Sequence, residues 1–141
     1  MLEILGKIES PSSQSFPFFD GGLVAGFPSP AEDYAAYPLD LHALLIEHPA
    51  ATFFVRIQGD SMKDAGMYSG DILIVDRSLT AQNGKIVVAL LNGAFTVKRM
   101  KIEGKKIFLI PANPRYQSME VTAESDFQVW GVVTYVIHRA S

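Results

Sequence analysis

The chain has 141 residues, 48% of them hydrophobic and 19% charged, so a single globular domain with its own core is expected rather than a disordered chain. A net charge of −3 offers no general attraction for nucleic-acid phosphates, and the absence of cysteine excludes disulfide frameworks, thiolate nucleophiles and cysteine-based zinc sites. No apolar run approaches the roughly 18 residues of a membrane span, and Met1 opens no secretory signal, so a soluble, cytoplasmic protein is expected.

Residues 1–37 carry Pro11, Pro17, Pro28 and Pro30, a scatter of serines and Gly21-Gly22. No helical or strand period survives for long there, which predicts an extended N-terminal arm. Phe16, Phe18, Phe19, Leu23, Val24 and Phe27 are too many apolar groups for an idle linker, so the arm is expected to dock on a surface, its own or a partner's. Asp40 to His48 places Leu41, Leu44, Leu45 and His48 at helical spacing, with Asp40 as N-cap and Pro49 as the stop. His48 is expected to end that helix, where positive charge is favourable.

Residues 38–141 then turn β-rich. Strands are predicted at Thr52–Gln58, at a fully buried Asp71–Asp76, and at Lys85–Leu91 and Ala94–Ile102 around the hairpin signal Asn92-Gly93. Glu103-Gly104 turns into Lys106–Ile110, and Met119–Thr122 and Phe127–Ile137 follow. Short strands at these spacings predict a mainly β, compact antiparallel fold with one short helix.

Gln58-Gly59-Asp60-Ser61-Met62 breaks the first of these strands with a glycine just before a serine. A sharp turn there can hold Ser61 at an exposed corner with backbone N–H groups converging beside its hydroxyl, as a nucleophile requires. The same residues also suit an ordinary turn. In Ala94–Ile102, alternation puts Thr96, Lys98, Met100 and Ile102 on one face, so Lys98 sits between small or apolar neighbours while Arg99 and Lys101 reach solvent. A lysine so placed finds a carboxylate or loses its proton, unless it snorkels to water. From a reference pKa of about 10.4, roughly one lysine in 2,500 is neutral at pH 7, and burial raises that fraction toward a usable general base. His42, His48 and His138 lack metal-site spacing, and no cofactor or metal is implied. Lys98, Arg99, Lys101, Lys105 and Lys106 read as a solvated basic hairpin.

Taken together, Gly59-Asp60-Ser61-Met62, Gly70-Asp71-Ile72-Leu73-Ile74-Val75-Asp76 and Phe95-Thr96-Val97-Lys98-Arg99 resemble the LexA/UmuD group of self-cleaving serine–lysine peptidases. Val24-Ala25-Gly26-Phe27-Pro28-Ser29-Pro30 resembles the group's autocleavage segment, with a small residue before the scissile bond and glycine after it. The resemblance covers essentially the whole chain, in the group's order. It implies the β fold shared by LexA and signal peptidases, Ser61 as nucleophile, Lys98 as base, an oxyanion site of the Asp60 and Ser61 backbone N–H groups, and cleavage between Ala25 and Gly26. Only 25 residues precede Gly26, too few for the helix-turn-helix domain of the group's repressors, so the short UmuD-like type is implied.

For that type the resemblance further implies cleavage stimulated by the RecA filament on single-stranded DNA, a homodimer, and service after cleavage to a UmuC-like translesion DNA polymerase, without sequence-specific DNA binding or a membrane. Three rival readings remain open on the residues alone. They are a signal peptidase, a β-rich binding module in which Ser61 and Lys98 only pair structurally, and a headless repressor fragment.

Overall fold

The computed structural model describes residues 2–7, 14–19 and 36–141. Strands dominate because β-branched and aromatic residues recur in short runs closed by glycine turns. In chain order they are β1 (Leu2–Lys7), β2 (Ser15–Phe19), β3 (Ala36–Asp40), β4 (Thr52–Ile57), β5 (Ile72–Asp76), β6 (Ile86–Leu91), β7 (Ala94–Glu103), β8 (Lys106–Ile110), β9 (Met119–Val121) and β10 (Phe127–Ile137). One short helix, α1 (Leu41–Leu45), follows β3. The expected mainly β, antiparallel fold with one short helix is what the described residues adopt.

Two units are distinguished, and each is internally coherent. The larger joins β1 to residues 48–141 in an eight-stranded antiparallel sheet of order β1-β4-β5-β10-β6-β7-β8-β9. The last strand is thus inserted between β5 and β6. Its two faces are both covered at the centre: Val55, Ile57, Leu73, Val75, Val88 and Val97 pack with Met62 and Met67 in one cluster. Val87, Ala89, Met100, Leu109 and Val132 form the other. Burial on both faces explains why β5 reads as an unbroken apolar run rather than an alternation.

Asn92-Gly93 forms the expected tight hairpin between β6 and β7, with Asn92 at φ 50° and Gly93 at φ 82°. At Gly131, beside a register shift between Val129 and Gly131, the backbone of β10 crosses close to β5. A Cβ there would stand 2.5 Å from Val75 Cγ1, so only glycine fits without a shift.

The smaller unit, residues 10–47, pairs β2 with β3, setting Pro17 opposite Pro38 and Phe18 edge-on to Tyr37 at 5.2 Å. A two-stranded ribbon tolerates proline because its outer N–H groups have no ladder to serve. Asp40 caps α1 as expected, its Oδ1 accepting from His42 N (3.0 Å) and Ala43 N (3.3 Å).

Three local expectations are corrected. The helix ends at Leu45, not His48, and Pro49 opens a separate 3₁₀ turn, Pro49–Ala51, because Ile46 leaves helical geometry once its N–H has closed on His42 O. His48 ends no helix; its Nδ1 lies 2.6 Å from Asp76 Oδ2. Leu2–Lys7 is a strand of the main sheet, invisible in the sequence because its partner is some fifty residues away.

Candidate active site

The strand β4 delivers the chain to a corner at Gln58–Met62. Gly59 takes φ +95°, a conformation that side-chain-bearing residues resist, and this turns the backbone sharply out of the sheet. Met62, fully buried in the first apolar cluster, anchors the far side. Between them Ser61 is held half-buried with its hydroxyl facing β7.

Hydrogen bonds clamp the corner from both directions. Ile57 N donates to Asp71 O (3.0 Å) and Gly70 N to Ile57 O (2.8 Å), tying the end of β4 to the turn before β5. Asp71 is itself braced by Tyr68 N (2.8 Å) and lies 2.7 Å from His138 Nδ1. From the other side, the loop after β8 grips the serine backbone. Ala112 N donates to Ser61 O (2.8 Å), and the side-chain amide of buried Asn113 donates to Asp60 O (2.8 Å). Lys63 N also donates to Asp60 O, at 3.2 Å.

In a trans peptide the N–H lies opposite the preceding carbonyl. Pinning Asp60 O therefore also sets the direction of the Ser61 N–H, for which no hydrogen-bond acceptor is found among the described residues.

Lys98 comes from β7, where it pairs across to Val87. Its Nζ lies 3.2 Å from Ser61 Oγ, 2.8 Å from Thr96 Oγ1 and 3.0 Å from Val97 O. None of these is a carboxylate. Burial, with no counter-charge among the described residues, pushes the Lys98 amine below the usual lysine value. Of the fates foreseen for this lysine, the structure favours the lowered pKa over pairing with an acid. Asp60 is held below the usual carboxylate range chiefly by the Tyr116 phenol, which donates to its Oδ1 at 2.7 Å; Tyr116 is raised in turn.

A cleft lined by Leu2, Ile57, Gly59, Ser61, Lys98 and Tyr116 opens onto the pair. On the other flank of Lys98 lies a more apolar hollow of Leu91, Ala94, Leu109 and Met119. A hydroxyl against an amine of depressed pKa, beside a backbone N–H free to take a new acceptor, has the geometry of a nucleophile, its base and an oxyanion donor.

Ser61 and Lys98 thus lie side by side, although 37 residues apart. Ala25 and Gly26 lie outside the described residues. Thr96, Asn113 and Tyr116 were not foreseen as parts of the site. Thr96 had a signal, since i−2 on a strand shares the face of Lys98; the loop residues had none. Among the described residues no cluster of metal-ligating side chains occurs, and no helix is long and apolar enough to cross a membrane.

This constellation on an antiparallel sheet holds the parts that serine-peptidase chemistry requires. Comparison with known proteins agrees with that class. The Peptidase S24-like family model matches residues 17–134. Protein SamA of Salmonella typhimurium is 44% identical over 139 residues, covering 99% of this chain and 96% of its own. Protein MucA of Escherichia coli is 43% identical over 86% of this chain and 83% of its own. The LexA repressor of Acidithiobacillus ferrooxidans is 43% identical over 80% of this chain and 56% of the repressor. The chain therefore belongs to the Peptidase S24-like family, as a UmuD-type protein of the SOS-related, self-cleaving LexA/UmuD group.

Proposed function

We propose that this protein cleaves itself between Ala25 and Gly26, using Ser61 as nucleophile and Lys98 as general base. The observation that carries the proposal is the 3.2 Å approach of Lys98 Nζ to Ser61 Oγ, with no acid among the described residues at hand to keep the amine charged.

A neutral amine has two N–H bonds and one lone pair. The N–H bonds serve Thr96 Oγ1 and Val97 O, which leaves the lone pair for the Ser61 hydroxyl. Lys98 takes the hydroxyl proton as Ser61 Oγ attacks the Ala25 carbonyl carbon. The Ser61 N–H, with that of Asp60, receives the developing oxyanion. Collapse breaks the Ala25–Gly26 bond, and the lysine proton passes to the departing Gly26 amine. Water, deprotonated by Lys98, then attacks the Ala25 ester and restores Ser61, freeing residues 1–25. Tethering makes the first step effectively intramolecular.

The reading extends to regulation by its likeness to the UmuD type. Contact with the RecA filament on single-stranded DNA stimulates the cut in the cytoplasm. The shortened chain, as a homodimer, becomes the accessory subunit of a UmuC-like error-prone translesion polymerase. The supports are the family match and the relatives above. The test is incubation at alkaline pH followed by intact-mass spectrometry. A product beginning at Gly26, formed by wild type and not by Ser61→Ala, is expected. A chain that stays whole both there and with RecA filament would leave a binding module as the better reading.

A further inference from the structure

All the strand pairing made by residues 1–25 among the described residues is to strands that come later in the chain: β1 with β4 and β2 with β3. If the chain is cut at the position proposed above, both pairings change from intramolecular to bimolecular. An effective concentration on the order of millimolar then drops to that of the protein in solution, about a thousandfold at micromolar levels.

The grip of β1 is weak to begin with. Ile4 and Leu5 stay 45% and 41% exposed, and the register breaks between Ile4 and Gly6. Arg56 and Glu3 meet at only 3.9 Å, both well exposed. Leu2 alone packs on the first apolar cluster, opposite Ile57 and in the wall of the Ser61 cleft. By contrast Thr52 and Val55 of β4 are buried and paired with β5, and buried Ile57 donates to Asp71 O just before it, so β4 stays when β1 leaves.

An uncovered β4 is a long edge of Thr, Phe, Phe, Val, Arg and Ile, without proline, glycine or lysine to blunt it. Such an edge calls for a replacement strand. A second copy of β4 fits poorly, because it brings another Arg56 and no acid. We propose that scission unlatches β1, and that the outer edge of β4 then receives an extended strand of a partner protein. That strand carries an acidic residue between two apolar ones, as Leu2-Glu3-Ile4 does. The apolar residues sit opposite Ile57 and Val55, and the acid opposite Arg56. The proposal rests on the self-cleavage reading only for when the edge opens.

The experiment uses two full-length chains. One is wild type, cut by itself at alkaline pH. The other carries the recognition sequence of an unrelated protease inserted between Ala25 and Gly26, so that the same scission is available if self-cleavage fails. After the cut, residues 1–25 are expected to separate from the body on gel filtration. The outward amides of Thr52–Ile57 are expected to lose hydrogen-exchange protection relative to uncut Ser61→Ala. A labelled peptide of residues 1–9 should then bind saturably to the cut body, restore that protection, and ignore the uncut chain. Changing Glu3 to Lys in the peptide should weaken binding about two- to fivefold, and Arg56→Glu in the body should reverse that preference.

Three results would each overturn the proposal: a fragment that stays with the body, β4 amides that remain protected without peptide, or a scrambled peptide that binds equally well. Cleavage only by the added protease, with the expected separation and binding, counts against the self-cleavage reading and leaves the edge proposal standing.

Discussion

Thr96 Oγ1 lies 2.8 Å from Lys98 Nζ, closer than Ser61 Oγ at 3.2 Å, and it shares with Val97 O the work of orienting the amine. The lysine thus reaches the serine already aimed, by neighbours that carry no charge. This arrangement separates two properties of the base, its proton affinity and its direction, and each can be tested.

Self-cleavage should rise tenfold per pH unit and level off at the pKa of Lys98 in the folded chain, below the ordinary 10.5. Intact-mass rates across pH would measure it. Lys98→Ala should lower the plateau by roughly 10²–10⁴. The same depression has a linkage consequence. Between the folded pKa and 10.5 the unfolded chain binds the extra proton, so this residue's contribution to stability rises with pH across that window. A Ser61→Ala chain, which cannot cut itself, is the form in which to follow melting. A full cleavage rate for Lys98→Ala near neutral pH would end the assignment.

Thr96→Val should shift the rate midpoint further down in pH, because the hydroxyl is an acceptor that helps the ammonium form. It should also lower the plateau by about tenfold, less than loss of the base itself. An unchanged midpoint would show that Thr96 does not touch the proton balance.

Asn113→Ala removes the donor that pins Asp60 O and thereby loosens the direction of the Ser61 N–H. The plateau of self-cleavage should fall by an order of magnitude or more while the pH midpoint stays where it was. The variant should also unfold at a lower denaturant midpoint, since Asp60 O keeps only the longer bond from Lys63 N. A moved midpoint would tie Asn113 to Lys98 instead.

Gly131→Ala should destabilise the fold by about 1–3 kcal/mol, since its Cβ would press to 2.5 Å from Val75 Cγ1. A chemical-denaturation midpoint reads this directly. A neutral result would mean that β10 and β5 can move apart at little cost.

Asp76 tests acid stability. Burial alone would raise its carboxyl, but hydrogen bonds from Ser78 Oγ (2.6 Å), His48 and Ser78 N (2.8 Å) outweigh that and hold it below the usual 3.8. Its stabilisation is present above the unfolded value and is lost as pH falls through the lower folded one. The stability gap between wild type and Asp76→Asn should therefore be widest above about pH 4 and shrink in stronger acid. A gap independent of pH would assign the site's contribution to packing.

Much of this protein could be read from its residues in order. Apolar alternation, the Asn92-Gly93 turn and the continuous run before Asp76 report backbone geometry that depends on near neighbours, so the strands from β4 to β10 were foreseen to within a residue or two. Asp40 as helix cap is equally local. His48 was misjudged because its partner, Asp76, lies 28 residues on. The strand Leu2–Lys7 was missed for the same reason: a strand on a sheet edge is made by its partner, here β4, more than by its own sequence.

The residue types at the site were determined by sequence alone: a serine after a glycine corner and a lysine on an apolar strand face. Their meeting at 3.2 Å was decided by the tertiary structure, which inserts β10 between β5 and β6 and sets β7 across the corner. The depressed amine, the clamp from Ala112 and Asn113, and Leu2 in the cleft wall belong to the same category. Local spacing fixes which way a side chain leaves its strand, but desolvation and hydrogen bonding depend on atoms that only the closed fold brings near.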